Sequence, residues 1–158
     1  MSLDAISLQA YIAFIQQQFS SRGKSVEKEI IDAVYSWSRG QTYAIQLICN
    51  YLFSRCTKVT RQDLDQVIKD ILDQEDAVFI NYQNILPATE WQVLLAIARE
   101  GKVNMPTGQE FVKKHGLGAT SSVQRALQSL VRKEMVVKEV DGYMVHDIIL
   151  SQWLSRLL

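Results

Sequence analysis

The chain is poor in the residues that make chemistry legible. Its 158 residues include only two cysteines and two prolines, with lysine plus arginine at 17 against aspartate plus glutamate at 17. A balanced chain carries no overall polyelectrolyte signature of a nucleic-acid binder. Cys49 and Cys56 lie seven positions apart in an amphipathic stretch. On a helix they share a face but stand roughly 10 Å apart along the axis, too far for a disulfide, so free thiols are expected. A metal site would need further ligands beside them, whereas the histidines, His115 and His146, fall elsewhere. No Gly-x-x-x-x-Gly-Lys-Ser/Thr loop is present to cradle phosphates, and no nucleophile motif has its required spacing. The chain alone is therefore not expected to be an enzyme. His146-Asp147 reads as a polar helix start capped by Asp147, not as a catalytic pair. No apolar run approaches the roughly 20 residues that span a bilayer, and the start lacks a signal pattern. A cytoplasmic protein without membrane contact is expected. Met1-Ser2-Leu3 reads as an appended start, which places the natural beginning further upstream.

What the sequence does contain is helical periodicity. Leu8, Tyr11, Ile12, Ile15 and Phe19 recur at three- and four-residue spacing before Arg22-Gly23. A second stripe runs from Val26 to Trp37 and stops at Arg39-Gly40; a third spans about Thr42 to Cys56. Thr60 can cap a fourth helix, with Asp63 three residues on. The periodicity breaks around Phe79 to Pro87, and proline disfavours helix at Leu86. A domain boundary is expected there, giving a helical module over 1–86 and a second domain over 87–158.

In the second domain, Thr89 can cap a helix carrying Trp91, Leu94, Leu95 and Ile97. Thr107 and Glu110 have the spacing of a capping box opening a short helix to His115. After the turn Gly116 to Ala119, a helix from about Thr120 to Glu134 buries Val123, Ala126, Leu127, Leu130 and Val131. Met135 to Val145 reads as a hairpin turning at Asp141-Gly142, and a last helix follows from about Ile148. The order helix, helix, turn, helix, hairpin is that of a winged helix-turn-helix. The expected fold class is mainly α: an N-terminal helical bundle, then a winged helix with a small β-hairpin.

The balanced charge conceals a local excess. Between 102 and 138 the basic residues are Lys102, Lys113, Lys114, Arg125, Arg132, Lys133 and Lys138, against Glu110 and Glu134. In a helix-turn-helix the second helix of the pair can enter the major groove. Its candidate contacts here are Ser121, Ser122, Gln124, Arg125 and Gln128, with Lys102, Lys113, Lys114, Arg132 and Lys138 suited to phosphates. Glutamine pairs with adenine and arginine with guanine, so duplex DNA is the expected partner. The other reading is a winged helix that binds protein or a neighbouring domain, with Tyr35, Tyr43, Tyr82 or Trp91 as anchors wherever these are exposed. The hairpin tip carries Glu139 and Asp141 beside Lys138, which disfavours contact with a phosphate backbone.

Two segments carry a family resemblance. Gly40-Gln41-Thr42-Tyr43-Ala44-Ile45 resembles the turn that opens a helix in the helical lid of AAA+ and STAND-type ATPases. Residues 119–131, beginning Ala119-Thr120-Ser121-Ser122, followed by the hairpin and Asp147-Ile148-Ile149-Leu150, resemble the winged helix that ends prokaryotic ATPases of the archaeal ATPase and origin-recognition group. Thr42 replaces the turn's proline, and Tyr43 or Ala44 stands where many such lids carry a nucleotide-sensing arginine. Arg39 lies nearby and reads as a helix-end arginine favoured by the dipole. The resemblance implies the lid and winged-helix portion of a larger ATPase, with ATP and magnesium held by an upstream nucleotide domain, itself a partner. A free-standing dimeric transcription regulator and a protein-interaction module remain the alternatives.

Overall fold

The computed structural model describes residues 8–157, so Met1-Ser2-Leu3 lie outside the described residues. The chain divides into two compact units, Met1–Asp73 and Gln74–Leu158.

The first unit is built from α1 (Leu8–Ser20), α2 (Lys28–Ser38), α3 (Thr42–Arg55) and α4 (Arg61–Gln74). Each contributes one apolar stripe to a common core, including Ile12, Ile15 and Phe19 of α1, Ile31 and Val34 of α2, Ile48 and Leu52 of α3, and Leu64, Val67 and Ile71 of α4. Thr60 and Asp63 open α4 as a reciprocal box. Asp63 N–H donates to Thr60 Oγ1 at 3.2 Å, and Thr60 N–H donates to the Asp63 carboxylate at 2.8 Å. The Thr60 N–H first, and its hydroxyl donating at 2.9 Å second, hold the Asp63 carboxyl below the ordinary range. The extended backbone described in this unit amounts to an isolated bridge between Ser25 and Lys58.

The second unit runs α5 (Asp76–Ile85), α6 (Ala88–Glu100), α7 (Gln109–Lys114), α8 (Thr120–Arg132), β1 (Val136–Glu139), β2 (Gly142–Val145) and α9 (Ile148–Ser155). α6 is its axis: Val93, Leu94, Ala96 and Ile97 are buried against the apolar sides of α8 and α9. The antiparallel hairpin pairs Val136 with Val145 and Glu139 with Gly142. Val103 bridges Tyr143 through two backbone bonds of 2.9 and 2.8 Å, adding a third extended segment beside β2. This is the winged helix-turn-helix arrangement, so the fold is mainly helical with one small hairpin, as expected.

Several local expectations are corrected. The stretch around Phe79 is helical: α5 falls within the second unit, and Pro87 is the N-cap of α6. Its periodicity was masked because Val78, Ile80 and Ile85 are exposed while Phe79 is buried. Thr89 lies inside α6 and caps nothing, and Gly108 is the N-cap of α7 without a side-chain bond, so the box from Thr107 to Glu110 does not form. Val131 is 37% exposed on α8, not buried. The hairpin turns at Val140-Asp141, one residue earlier than the Asp-Gly pair suggested. Within the hairpin, positive φ is confined to Gly142, at 150°, the first residue of β2. Glycine is required there because a Cβ would lie 2.7 Å from the Val103 carbonyl oxygen.

Candidate nucleic-acid interface

α8 supplies the centre of the surface. Val123, Ala126, Leu127 and Leu130 turn inward, which at 100° per residue leaves Ser121, Arg125, Gln128 and Arg132 as the outermost ridge. All four are exposed. The helix starts after Ala119 with no side-chain cap, while Ser122 is half-buried at the edge of the ridge. Gln124 is also exposed and lies on the flank that faces the hairpin. There, Gln124, Leu127, Gln128 and Val131 line one wall of a groove of about 550 Å³, and Lys138 and Tyr143 line the other.

The local cationic excess is partly spent, because the fold brings acids from outside the segment onto its lysines. Lys133 Nζ donates to the buried Glu90 carboxylate at 3.0 Å, tying the end of α8 to the start of α6. Lys114 pairs with Glu100 at 2.8 Å, and His115 Nε2 contacts the same oxygen at 2.8 Å. Lys114 first and His115 second hold the Glu100 carboxyl below its ordinary range, and Glu100 raises Lys114 in return. Lys102 Nζ reaches both carboxylate oxygens of Asp141, at 3.0 and 3.1 Å, and lowers that acid. Lys113, Arg125, Arg132 and Lys138 form no ion pair with any described residue. Lys138 instead lies over the Tyr143 ring at 5.7 Å.

The fold thus brings Ser121, Gln124, Arg125, Gln128 and Arg132 together on one exposed face, with Lys138 across the groove and Lys113 on α7. Lys114 is present but occupied. The sequence reading missed Asn104, Met105 and Thr107, which line the groove from the α6–α7 connection. Proximity of that connection to α8 is a tertiary fact with no periodic signal. Among the aromatics considered as anchors, Trp91 is buried, Tyr35 and Tyr82 are half-buried, and Tyr43 is 49% exposed on α3.

A family model described as a probable winged helix domain matches residues 77–156. The chain belongs to this winged helix family. The match takes in α5, which agrees with that helix packing in the second unit. A solved Walker-type ATPase of Pyrococcus abyssi is similar in fold, with a TM-score of 0.68 over 95% of this chain at 14% identity. The chain spans 42% of the length of that ATPase. No curated protein matches it. Within the winged helix, α7 and α8 are the helix-turn-helix pair and β1–β2 is the wing. Among the described residues no helix is long and apolar enough to cross a membrane.

Proposed function

We propose that the winged helix docks on duplex DNA through α8, and that the chain is the non-catalytic helical and winged-helix portion of a larger AAA+/STAND-like ATPase. The observation that carries the DNA reading is the outer ridge of α8, where Arg125 and Arg132 stand exposed without an acidic partner among the described residues and alternate with Ser121 and Gln128. Arginine and glutamine are the side chains that read guanine and adenine edges bidentately in the major groove.

The ATPase reading is supported by the lid-like turn at Gly40 and by the fold similarity across nearly the whole chain. The residues present do not themselves fit ATP and magnesium. The sequence has no phosphate-cradling loop, and the described residues contain no group of three or more His, Cys, Asp or Glu able to hold an ion. In this reading nucleotide belongs to a separate domain of the same protein, and the winged helix places that domain on DNA or restrains it.

The test is fluorescence anisotropy of the chain with a labelled duplex, beside an Arg125→Ala variant. Loss of one bidentate base contact costs about 1–3 kcal/mol, so affinity should fall roughly 5- to 150-fold on the preferred sequence. Equal affinities would remove α8 as the reading helix.

A further inference from the structure

We infer, resting on the DNA reading above, that the duplex is gripped by α8 and its immediate flanks alone, with the tip of the wing held off the phosphate backbone. The tip is short and acidic. β1 and β2 have four residues each, the turn is Val140-Asp141, and Glu139 precedes it. The lysine that meets its aspartate is already committed, since Lys102 sits on both oxygens of Asp141 and cancels the cation a phosphate would need.

The tip is also pinned. Val103 and Tyr143 exchange two backbone bonds, and Gly142 lies so close to Val103 that a Cβ would stand 2.7 Å from its carbonyl oxygen. Swinging the tip toward DNA would break that bridge as well as the Lys102–Asp141 pair. Between α8 and the hairpin, the groove is bordered by Met105, 66% exposed, and by Val131. Neither side chain can donate to a phosphate. Between 102 and 138 the cations without an ion pair form a tighter set: Lys113 on α7, Arg125 and Arg132 on α8, and Lys138 in β1, two residues before the turn, where it lies over the Tyr143 ring and lines the groove beside α8.

This arrangement limits the number of phosphates neutralised. Each contact releases counterions and contributes about 0.9 to the slope of log K against log salt. If the duplex meets only these four cations, the slope should not exceed about 3.6 in magnitude, and it should be smaller if Arg125 spends itself on a base.

The experiment is the salt dependence of binding of the whole chain to a duplex, by anisotropy, for the wild type and for Lys113→Gln, Arg132→Gln, Lys138→Gln and Asp141→Asn. Circular dichroism melts verify that each variant folds. Each cation variant should lower the magnitude of the slope by about 0.9, while Asp141→Asn leaves it unchanged. A slope steepened by about one in Asp141→Asn would mean the freed Lys102 and the tip reach the backbone, and would overturn the placement of the wing while leaving DNA binding intact. Salt-dependent binding that none of the cation variants alters would put the duplex on another face, and absence of binding in the wild type would overturn the DNA reading itself. Either of these also overturns the present inference.

Discussion

Charge at single residues decides what this surface can do, because each lysine or arginine between 102 and 138 is worth something to a phosphate only when no acid holds it. Glu90, Glu100 and Asp141 lie outside or at the edge of that run in sequence, yet they occupy Lys133, Lys114 and Lys102. Glu100 gives a prediction with a definite sign. Its folded carboxyl titrates below the unfolded value of about 4, so the unfolded chain takes up the proton first. The stability it contributes is complete above that value and lost as pH falls through the folded one. Urea midpoints followed by tryptophan fluorescence from pH 6 to 3 should fall less steeply in Glu100→Gln than in the wild type; parallel curves would contradict the pairing. A second residue is strained. The backbone N–H groups of Glu134 and Met135 donate to Val131 and Leu130 oxygens, closing α8 with Glu134 at φ 61°. The same motif closes α7 with Gly116, also at φ 61°. A side chain in this left-handed region costs about 1 kcal/mol, so Glu134→Gly should raise the melting temperature, and a lowered one would show that the glutamate makes a compensating contact. Cys49 is half-buried and its thiol is pushed up to about 11 by burial, so it should react with a thiol reagent at pH 8 more slowly in the folded chain than in the denatured one.

At the scale of elements, the helices were legible wherever one face is apolar and the other is not. α8 is the clearest case, with Val123, Ala126, Leu127 and Leu130 inside and the polar ridge outside, and Asp147 caps α9 as its position suggested, accepting from Ile149 N at 2.9 Å and Leu150 N at 3.4 Å. Asp147→Ala should destabilise the chain by about 1 kcal/mol, measured by urea denaturation. α5 was not legible, because apolar residues surround it and its inward partners come from α9. Phe79 meets the Trp153 ring edge-on at 5.6 Å, and Trp153 Nε1 donates to Asp76 at 2.7 Å. Such contacts, at separations of more than 70 residues, leave no period in the local sequence. The hairpin was legible in existence but displaced in register. Asp141-Gly142 marks a two-residue turn by propensity, but here Gly142 is required by the approach of Val103 from another part of the chain. Gly142→Ala should therefore cost about 1–3 kcal/mol and loosen the bridge to Val103, visible as faster amide exchange at Tyr143.

Across the whole molecule, two compact units carry their own cores, and the candidate DNA surface is built entirely from the second. That organisation predicts what truncation does. A fragment of residues 74–158 should fold and bind duplex DNA with the affinity of the full chain, whereas one beginning at Pro87 should melt at a lower temperature. The shorter piece forfeits Phe79 against Trp153 and the Asp76 carboxylate that receives both Trp153 and Arg156. The polar face of α8 and its order relative to the hairpin could be read from sequence, but the division between free and committed cations could not, since it depends on acids delivered by α6 and the hairpin tip. The central claim is that the unpaired cations between 102 and 138 mark a DNA surface centred on α8. It is tested most directly by titrating a duplex into the isotope-labelled chain and mapping the perturbed amides. The account predicts shifts concentrated in 120–132, with Lys113 and Lys138, and quiet signals from Val140 to Gly142. Shifts confined to the first unit, or no shifts at low salt, would contradict it.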